Sequence, residues 1–144
     1  MSKPQTLFSQ DTFYSGFLRD LSRSRTEVII ESPFVTQRRF NELFPTLQKL
    51  RRRGVAVTVN TRNPDEHDGL YVDQAYDAVV ALQKLGVRVL YTTKLHRKLA
   101  IIDREIVWEG SLNILSFNDS CELMRRSVDS VAAHQTLRFL KIYN

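Results

Sequence analysis

The stretch Leu47-Gln48-Lys49-Leu50-Arg51-Arg52-Arg53-Gly54-Val55-Ala56-Val57-Thr58-Val59-Asn60 decides the fold class. Leu47 and Leu50 share one face of a helix, Gly54 supplies a stop, and a β-branched run follows, as a strand requires. The same order returns in Leu82-Gln83-Lys84-Leu85, Gly86 and Val87-Arg88-Val89-Leu90-Tyr91. These are two helix-to-strand units of one kind, not a solenoid repeat. Strands alternating with helices predict a mainly parallel sheet with helices on both faces.

Phe8–Ser22 reads as an amphipathic helix with Phe13, Phe17 and Leu21 on one face. Glu27–Ser32 is a strand closed by Pro33. The helical pattern over Gln37–Arg53 contains Pro45, which lacks the N–H that a helix interior needs. A short helix over Arg38–Leu43 and a second from Pro45 to Arg53 are expected. Thr61–Gly69 is a polar loop. A helix over Leu70–Leu85 follows, burying Tyr71, Ala75, Ala78, Val79, Leu82 and Leu85. Downstream, Leu95–Ile102 and Ile106–Glu109 form a hairpin through Asp103-Arg104-Glu105, so the sheet becomes mixed. A short turn or helix over Asn113–Phe117, a strand over Glu122–Val128 and a final helix capped by Asp129 or Ser130 complete the pattern. The expected fold is α/β, a three-layer α/β/α sandwich with a mixed, mainly parallel sheet. With no linker or low-complexity stretch, residues 1–144 read as one domain.

Composition bounds the function. At 144 residues and 42% hydrophobic content the chain can build a real core. The single cysteine, Cys121, excludes an internal disulfide framework. No apolar run approaches the roughly 20 residues of a membrane span, and the polar Met1–Gln5 leads to no signal-like block. A cytoplasmic protein is expected. The net charge of +5 and pI near 9.6 favour a polyanionic partner, the alternative being a role in solubility alone.

The chemistry concentrates in His96-Arg97-Lys98-Leu99-Ala100-Ile101-Ile102-Asp103 and Gly110-Ser111-Leu112-Asn113. His96 and Lys98 are two apart in an extended run and share a face. Cleaving a phosphodiester needs a nucleophile, charge on the non-bridging oxygens and a proton for the leaving oxygen. Imidazole can be nucleophile or acid–base, and Lys98 supplies fixed charge. Ser111 and Asn113 offer donors, and Gly110 permits close approach. A helix starting at this turn would add free amides. Asp103, seven residues after His96, falls on the opposite face at the hairpin turn and reads as structural, bonding turn amides. Singly these are common features: most strand histidines are structural, and most strand lysines are solvated. Their joint spacing carries the weight.

Other candidates are weaker. Glu66-His67-Asp68 are neighbours in a loop, which seldom converge on one metal ion; the loop reads as a groove wall, and no metal is expected. Arg51-Arg52-Arg53 reads as a solvated helix end. Arg38, Arg39 and Arg62 follow strand C-terminal ends, where open α/β sheets bind ligands, and are nucleic-acid-binding candidates. Trp108 and Phe117 could stack on bases, but core packing is the stronger reading. His134 reads as structural.

The pattern resembles the phospholipase D superfamily, whose signature is H-x-K-x4-D-x6-G-S-x-N. His96, Lys98, Asp103, Gly110, Ser111 and Asn113 occupy every fixed position, and Asn118-Asp119-Ser120-Cys121-Glu122 is similar to the acidic-ended stretch that follows. Gly110–Ser116 and Met124-Arg125-Arg126 more loosely resemble modules attached to bacterial helicase-like or restriction proteins. The resemblance implies phosphodiester cleavage without metal or cofactor. It implies a histidine that attacks phosphorus to form a phosphohistidine, and a second that protonates the leaving group. Lysines and asparagines hold the phosphate, and Glu122 orients the nucleophile. This sequence has one motif: His67 precedes Asp68-Gly69 and His134 precedes Gln135-Thr136, so neither starts another. A symmetric homodimer supplying His96 twice is therefore expected. The expected function is a homodimeric nuclease acting on DNA ahead of RNA, with a helicase or other targeting domain as a further partner. The alternatives are a catalytically silent nucleic-acid-binding or dimerisation module, or a phospholipid-cleaving phosphodiesterase without the interfacial surface or signal peptide that would favour it.

Overall fold

The fold follows from which strands can reach each other. The computed structural model describes residues 4–117 and 119–143. Met1, Ser2, Lys3 and Asn118, which entered the sequence reading, lie outside the described residues. The described elements are β1 (Gln5–Ser9), α1 (Phe13–Arg23), β2 (Glu27–Glu31), α2 (Gln37–Arg52), β3 (Ala56–Thr61), a 3₁₀ turn (Pro64–Glu66), α3 (Leu70–Lys84), β4 (Arg88–Tyr91), β5 (Leu99–Ile102), β6 (Ile106–Gly110), β7 (Leu123–Val128) and α4 (Ser130–Leu140).

One sheet runs in the order β1-β7-β6-β5-β2-β3-β4. Alternate residues divide its two faces. Val28, Ile30, Val57, Val59, Ala100, Ile102, Trp108 and Met124 pack with Phe13, Phe17, Leu21, Leu43, Leu47, Leu50 and Leu82 from α1, α2 and α3. Ile29, Leu99, Ile101 and Val107 pack with Ala133, Leu137, Leu140 and Tyr143 from α4 and the segment after it. This is a three-layer α/β/α sandwich. Trp108 is fully buried, donates to Asp20 Oδ2 at 2.8 Å, and meets Phe13 and Phe17 edge-on, so it belongs to the core.

Several details depart from the sequence reading. The sheet is mixed, but four of its six pairings are antiparallel; only β2–β3 and β3–β4 are parallel. The helix-to-strand units supply only those three strands, whereas the hairpin and short returns after β5 force antiparallel neighbours. Phe8 is not helical. It sits in β1, which pairs with β7, and its ring lies 4.8 Å from that of Trp108. α2 runs unbroken through Pro45. Phe40, Leu43, Leu47 and Leu50 form one buried stripe across the proline, and this burial outweighs the roughly 3 kcal/mol that an interior proline costs. Tyr71 is 45% exposed, unlike the rest of its expected buried face, and Leu85 is half-buried. β5 begins at Leu99, so His96 and Lys98 lie on the extended segment leading into it. No helix starts at Asn113; a turn closes there, with the Ser116 amide donating to the Asn113 carbonyl at 3.0 Å.

The β5–β6 turn places Asp103 and Arg104 at φ 54° and 53°. Non-glycine residues adopt this region reluctantly, so something must hold them there. The Asp103 carboxylate accepts from the amides of Arg25, Thr26 and Glu27 at 2.9, 2.8 and 3.0 Å and from the Thr26 hydroxyl at 3.0 Å. It thus binds the amides of the α1–β2 loop rather than those of its own turn. Burial alone would raise its pKa, but the Thr26, Glu27 and Arg25 amides together hold it below the ordinary carboxylate value. A lowered native pKa contributes stability above the unfolded value of about 3.9, and that contribution is lost as pH falls through the native value. Asp103→Asn is expected to destabilise at neutral pH, with the gap from wild type closing below about pH 4. Urea unfolding across this range checks it; a gap that does not change with pH contradicts the assignment.

Candidate active site

The motif is a hairpin with both ends at one edge of the sheet. Gly110 ends β6 where β7 begins. A Cβ there would lie 2.1 Å from the Leu123 carbonyl oxygen and 2.9 Å from Met124 Cα, so only glycine fits. Ser111 pins the start of β7: its amide donates to the Leu123 carbonyl at 2.9 Å, and its hydroxyl accepts from the Leu123 amide at 3.0 Å.

On the opposite strand, Lys98 Nζ donates to the His96 carbonyl at 2.6 Å and lies 3.2 Å from His96 Nδ1. The pair shares one side because Arg97 is drawn to the other. Arg97 forms two bonds to Glu31, at 2.8 and 3.2 Å. Glu31 is fully buried, and it also accepts from Asn60 Nδ2 at 2.9 Å and the Tyr143 hydroxyl at 2.6 Å. Burial first, then the bond to Glu31, pushes the Tyr143 hydroxyl well above its usual pKa. Arg97, Glu31, Asn60 and Tyr143 carry no motif by which the sequence marks them as part of a site. The only local signal was a glutamate ending an apolar strand.

Arg62 reaches this edge from β3. Its Nε donates to the Leu95 carbonyl at 2.7 Å, and its guanidinium lies 5.1 Å from the Phe34 ring centroid. Lys98 is held below the ordinary lysine pKa by burial and then by Arg62, with Glu122 acting in the opposite sense. Lys98 therefore lies within electrostatic reach of both. Glu122 accepts from the Ser120 hydroxyl at 2.8 Å, while its amide donates to Gln10 Oε1 at 2.8 Å. Asn113, Glu122, Arg39 and Phe117 line one small polar cavity, and Arg39 Nε and Asn113 Oδ1 are buried without a hydrogen-bond partner among the described residues.

The arginine candidates separate. Arg62 joins the motif. Arg39 lies 3.3 Å over the Tyr14 ring, pairs with Glu42 at 2.6 Å and keeps only 12% of its side chain exposed. Arg38 is 66% exposed and lies 3.7 Å over the Phe117 ring. Arg51 and Arg53 are structural ties: Arg51 donates to the Leu85 and Val55 carbonyls and Arg53 to that of Ser24. In the 62–69 loop, Glu66 accepts from the Lys94 amide at 2.9 Å, whereas His67 is buried against Phe34, so the two diverge. His134 Nδ1 lies 2.7 Å from the Ser130 carbonyl on α4.

The edge thus gathers an imidazole, an ammonium, a guanidinium, a carboxamide and a carboxylate around the H-x-K and G-S-x-N segments. No curated protein matches the sequence. By structure, the chain is similar to Nuc, a phospholipase D family member from Salmonella typhimurium, with 15% identity, a TM-score of 0.79, and coverage of 97% of this chain and 93% of that one. It is also similar to NucT from Helicobacter pylori, with 19% identity, a TM-score of 0.74, and coverage of 97% and 94%. A third likeness, to polyphosphate kinase from Porphyromonas gingivalis, has 15% identity and a TM-score of 0.74, and covers 96% of this chain but 26% of the kinase. At such identities these likenesses establish the fold. The sequence profile described as "Cardiolipin synthase, PLD-like domain" matches residues 17–139, most of the chain, which therefore belongs to this PLD-like family of the phospholipase D superfamily.

Proposed function

We propose that the chain is a metal-independent phosphodiesterase acting on nucleic acid, with its active site completed by a second copy. The observation that supports this most directly is His96 and Lys98 side by side on one face, at the edge shared with Arg62, Asn113 and Glu122. Lys98 and Asn113 hold the non-bridging oxygens. The imidazole of one His96 attacks phosphorus, forming an N–P bond as the P–O bond to the leaving group breaks. The imidazolium of the other His96 gives that oxygen its proton. Water then attacks phosphorus, its proton passes to the second imidazole, and the N–P bond breaks. Glu122 orients the nucleophile. Basic net charge favours nucleic acid. The second reading, phospholipid cleavage, is kept by the family description, which names a cardiolipin synthase.

His96→Ala is expected to abolish cleavage of labelled DNA in EDTA without loss of stability; an unchanged rate, or strict need for added metal, sinks the assignment. Release of headgroup alcohol from phospholipid vesicles, with no cleavage of nucleic acid, would favour the second reading. If each site needs two copies of His96, refolding equal amounts of wild type and His96→Ala together leaves about a quarter of the wild-type activity, against about half for independent sites. Holding phosphate requires protonated Lys98, and its lowered pKa brings the alkaline limb of the kcat/KM profile below that of an ordinary lysine. Arg62→Gln is expected to move that limb upward, but only in part, since burial of Lys98 remains. A limb that stays in place argues that Lys98 does not set it.

A further inference from the structure

Beside Asn113 an open cavity of about 310 Å³ is lined by Phe34, Tyr71, Asn113 and Ser116. Two of its walls are aromatic, and they differ in freedom. Phe34 follows Pro33 just after β2 and is held by its neighbours: Arg62 lies 5.1 Å from its centroid, and the His67 ring lies 5.1 Å away. Tyr71, in the first turn of α3, meets Phe34 near edge-on at 6.3 Å and 64°, and is 45% exposed. The apolar stripe it begins continues through Ala75, Ala78, Val79 and Leu82, all buried. Tyr71 alone of these is spared from the core, and its ring stands at the cavity.

We propose that Tyr71 and Phe34 form a subsite for one unpaired nucleobase beside the scissile phosphate, which makes single-stranded nucleic acid the substrate class. This rests on the nuclease reading above. Asn113 belongs to both the cavity and the phosphate site, so a nucleotide whose phosphate is held there has its base within one sugar's length of the aromatic walls. The volume is at the small end for ligand pockets and suits a single base rather than a pair. Stacking on an aromatic ring needs an open base face, and a base within a duplex has both faces covered. Arg62, packed on Phe34 and within electrostatic reach of Lys98, joins the aromatic wall to positive charge. That combination suits a nucleotide, with a flat ring and an anion, better than an acyl chain.

The test is steady-state cleavage of a fluorescent single-stranded oligodeoxynucleotide, its hairpin duplex, and a single strand with abasic sugars throughout the cleaved region. Tyr71→Ala and Tyr71→Phe are compared with wild type. Tyr71 is exposed enough that its replacement leaves the core packed. The wild type is expected to prefer the single strand. Tyr71→Ala is expected to raise KM for it about tenfold, the size of one lost base stack, with kcat held, and Tyr71→Phe to restore it. On the abasic strand, wild type and Tyr71→Ala are expected to coincide. An active wild type indifferent to Tyr71→Ala, an equal loss on the abasic strand, or a change in oligomeric state by sedimentation would overturn the subsite alone. A wild type that cleaves phospholipid vesicles and none of the three strands would overturn the nuclease reading and the subsite with it.

Discussion

The ion pair between Glu31 and Arg97 is the constraint on which the site depends. A fully buried carboxylate is expensive unless its lone pairs are filled, and here Arg97, Asn60 and Tyr143 fill them. These partners come from the approach to β5, from β3 and from the segment after α4. One carboxylate therefore gathers three parts of the chain on the α4 face of the sheet. By pulling Arg97 to that face, it obliges the residues on either side of Arg97 to point the other way. Such pairs add little net stability over apolar packing, but they penalise every arrangement that leaves the charge unmet. Here the penalised arrangement is the one that would turn His96 and Lys98 away from the motif.

The spacing of the motif has a physical basis in the sheet. Leu99 is opposite Glu109 and Ile102 is opposite Ile106, so the residues from Lys98 to Gly110 are one out-and-back excursion of two paired strands. Asp103 sits at the far turn, tied to the α1–β2 loop, and both loose ends return to the same edge. A residue added to one strand would slip the register and reverse the face of everything beyond it. β2 and β3 run parallel and end at this edge as well, delivering Phe34 and Arg62 to it. Asp103 is remote from the reacting groups and still sets their positions, because it fixes the end of the hairpin that has no chemistry.

What the sequence made legible was local. β2, β3, β4, the β5–β6 hairpin and the Asp129 cap of α4 follow from patterns a few residues long, and the shared face of His96 and Lys98 follows from alternation. What it hid depends on distant partners. β1 exists because Gln5–Ser9 finds the edge of β7, a pairing with Leu123–Ser127 that no short window contains. α2 survives Pro45 because its buried stripe spans the break. Arg39 has the composition of a phosphate contact, but Tyr14 and Glu42 claim it. Arg97 looked like a spacer, since its partner lies 66 residues earlier.

The charge that marks this edge as a place for an anion is likewise local rather than a reflection of net charge. Arg62 lowers the preference of Lys98 for its protonated state, and among the described residues neither forms an ion pair. Two cations within electrostatic reach of one another are unfavourable unless something else fixes them. The Leu95 carbonyl and the Phe34 ring fix Arg62, and the carbonyl of His96 fixes Lys98. His67 adds no third charge: burial, and then Arg62, holds its imidazole below the ordinary pKa, so it is neutral at physiological pH. Glu122 acts on Lys98 in the opposite sense to Arg62 and, among the described residues, forms no salt bridge with it. The fold therefore keeps positive charge beside the G-S-x-N turn that no salt bridge among the described residues neutralises. The ligand that relieves this tension best carries a negative charge of its own, whereas a neutral ligand would leave the repulsion between Arg62 and Lys98 in place.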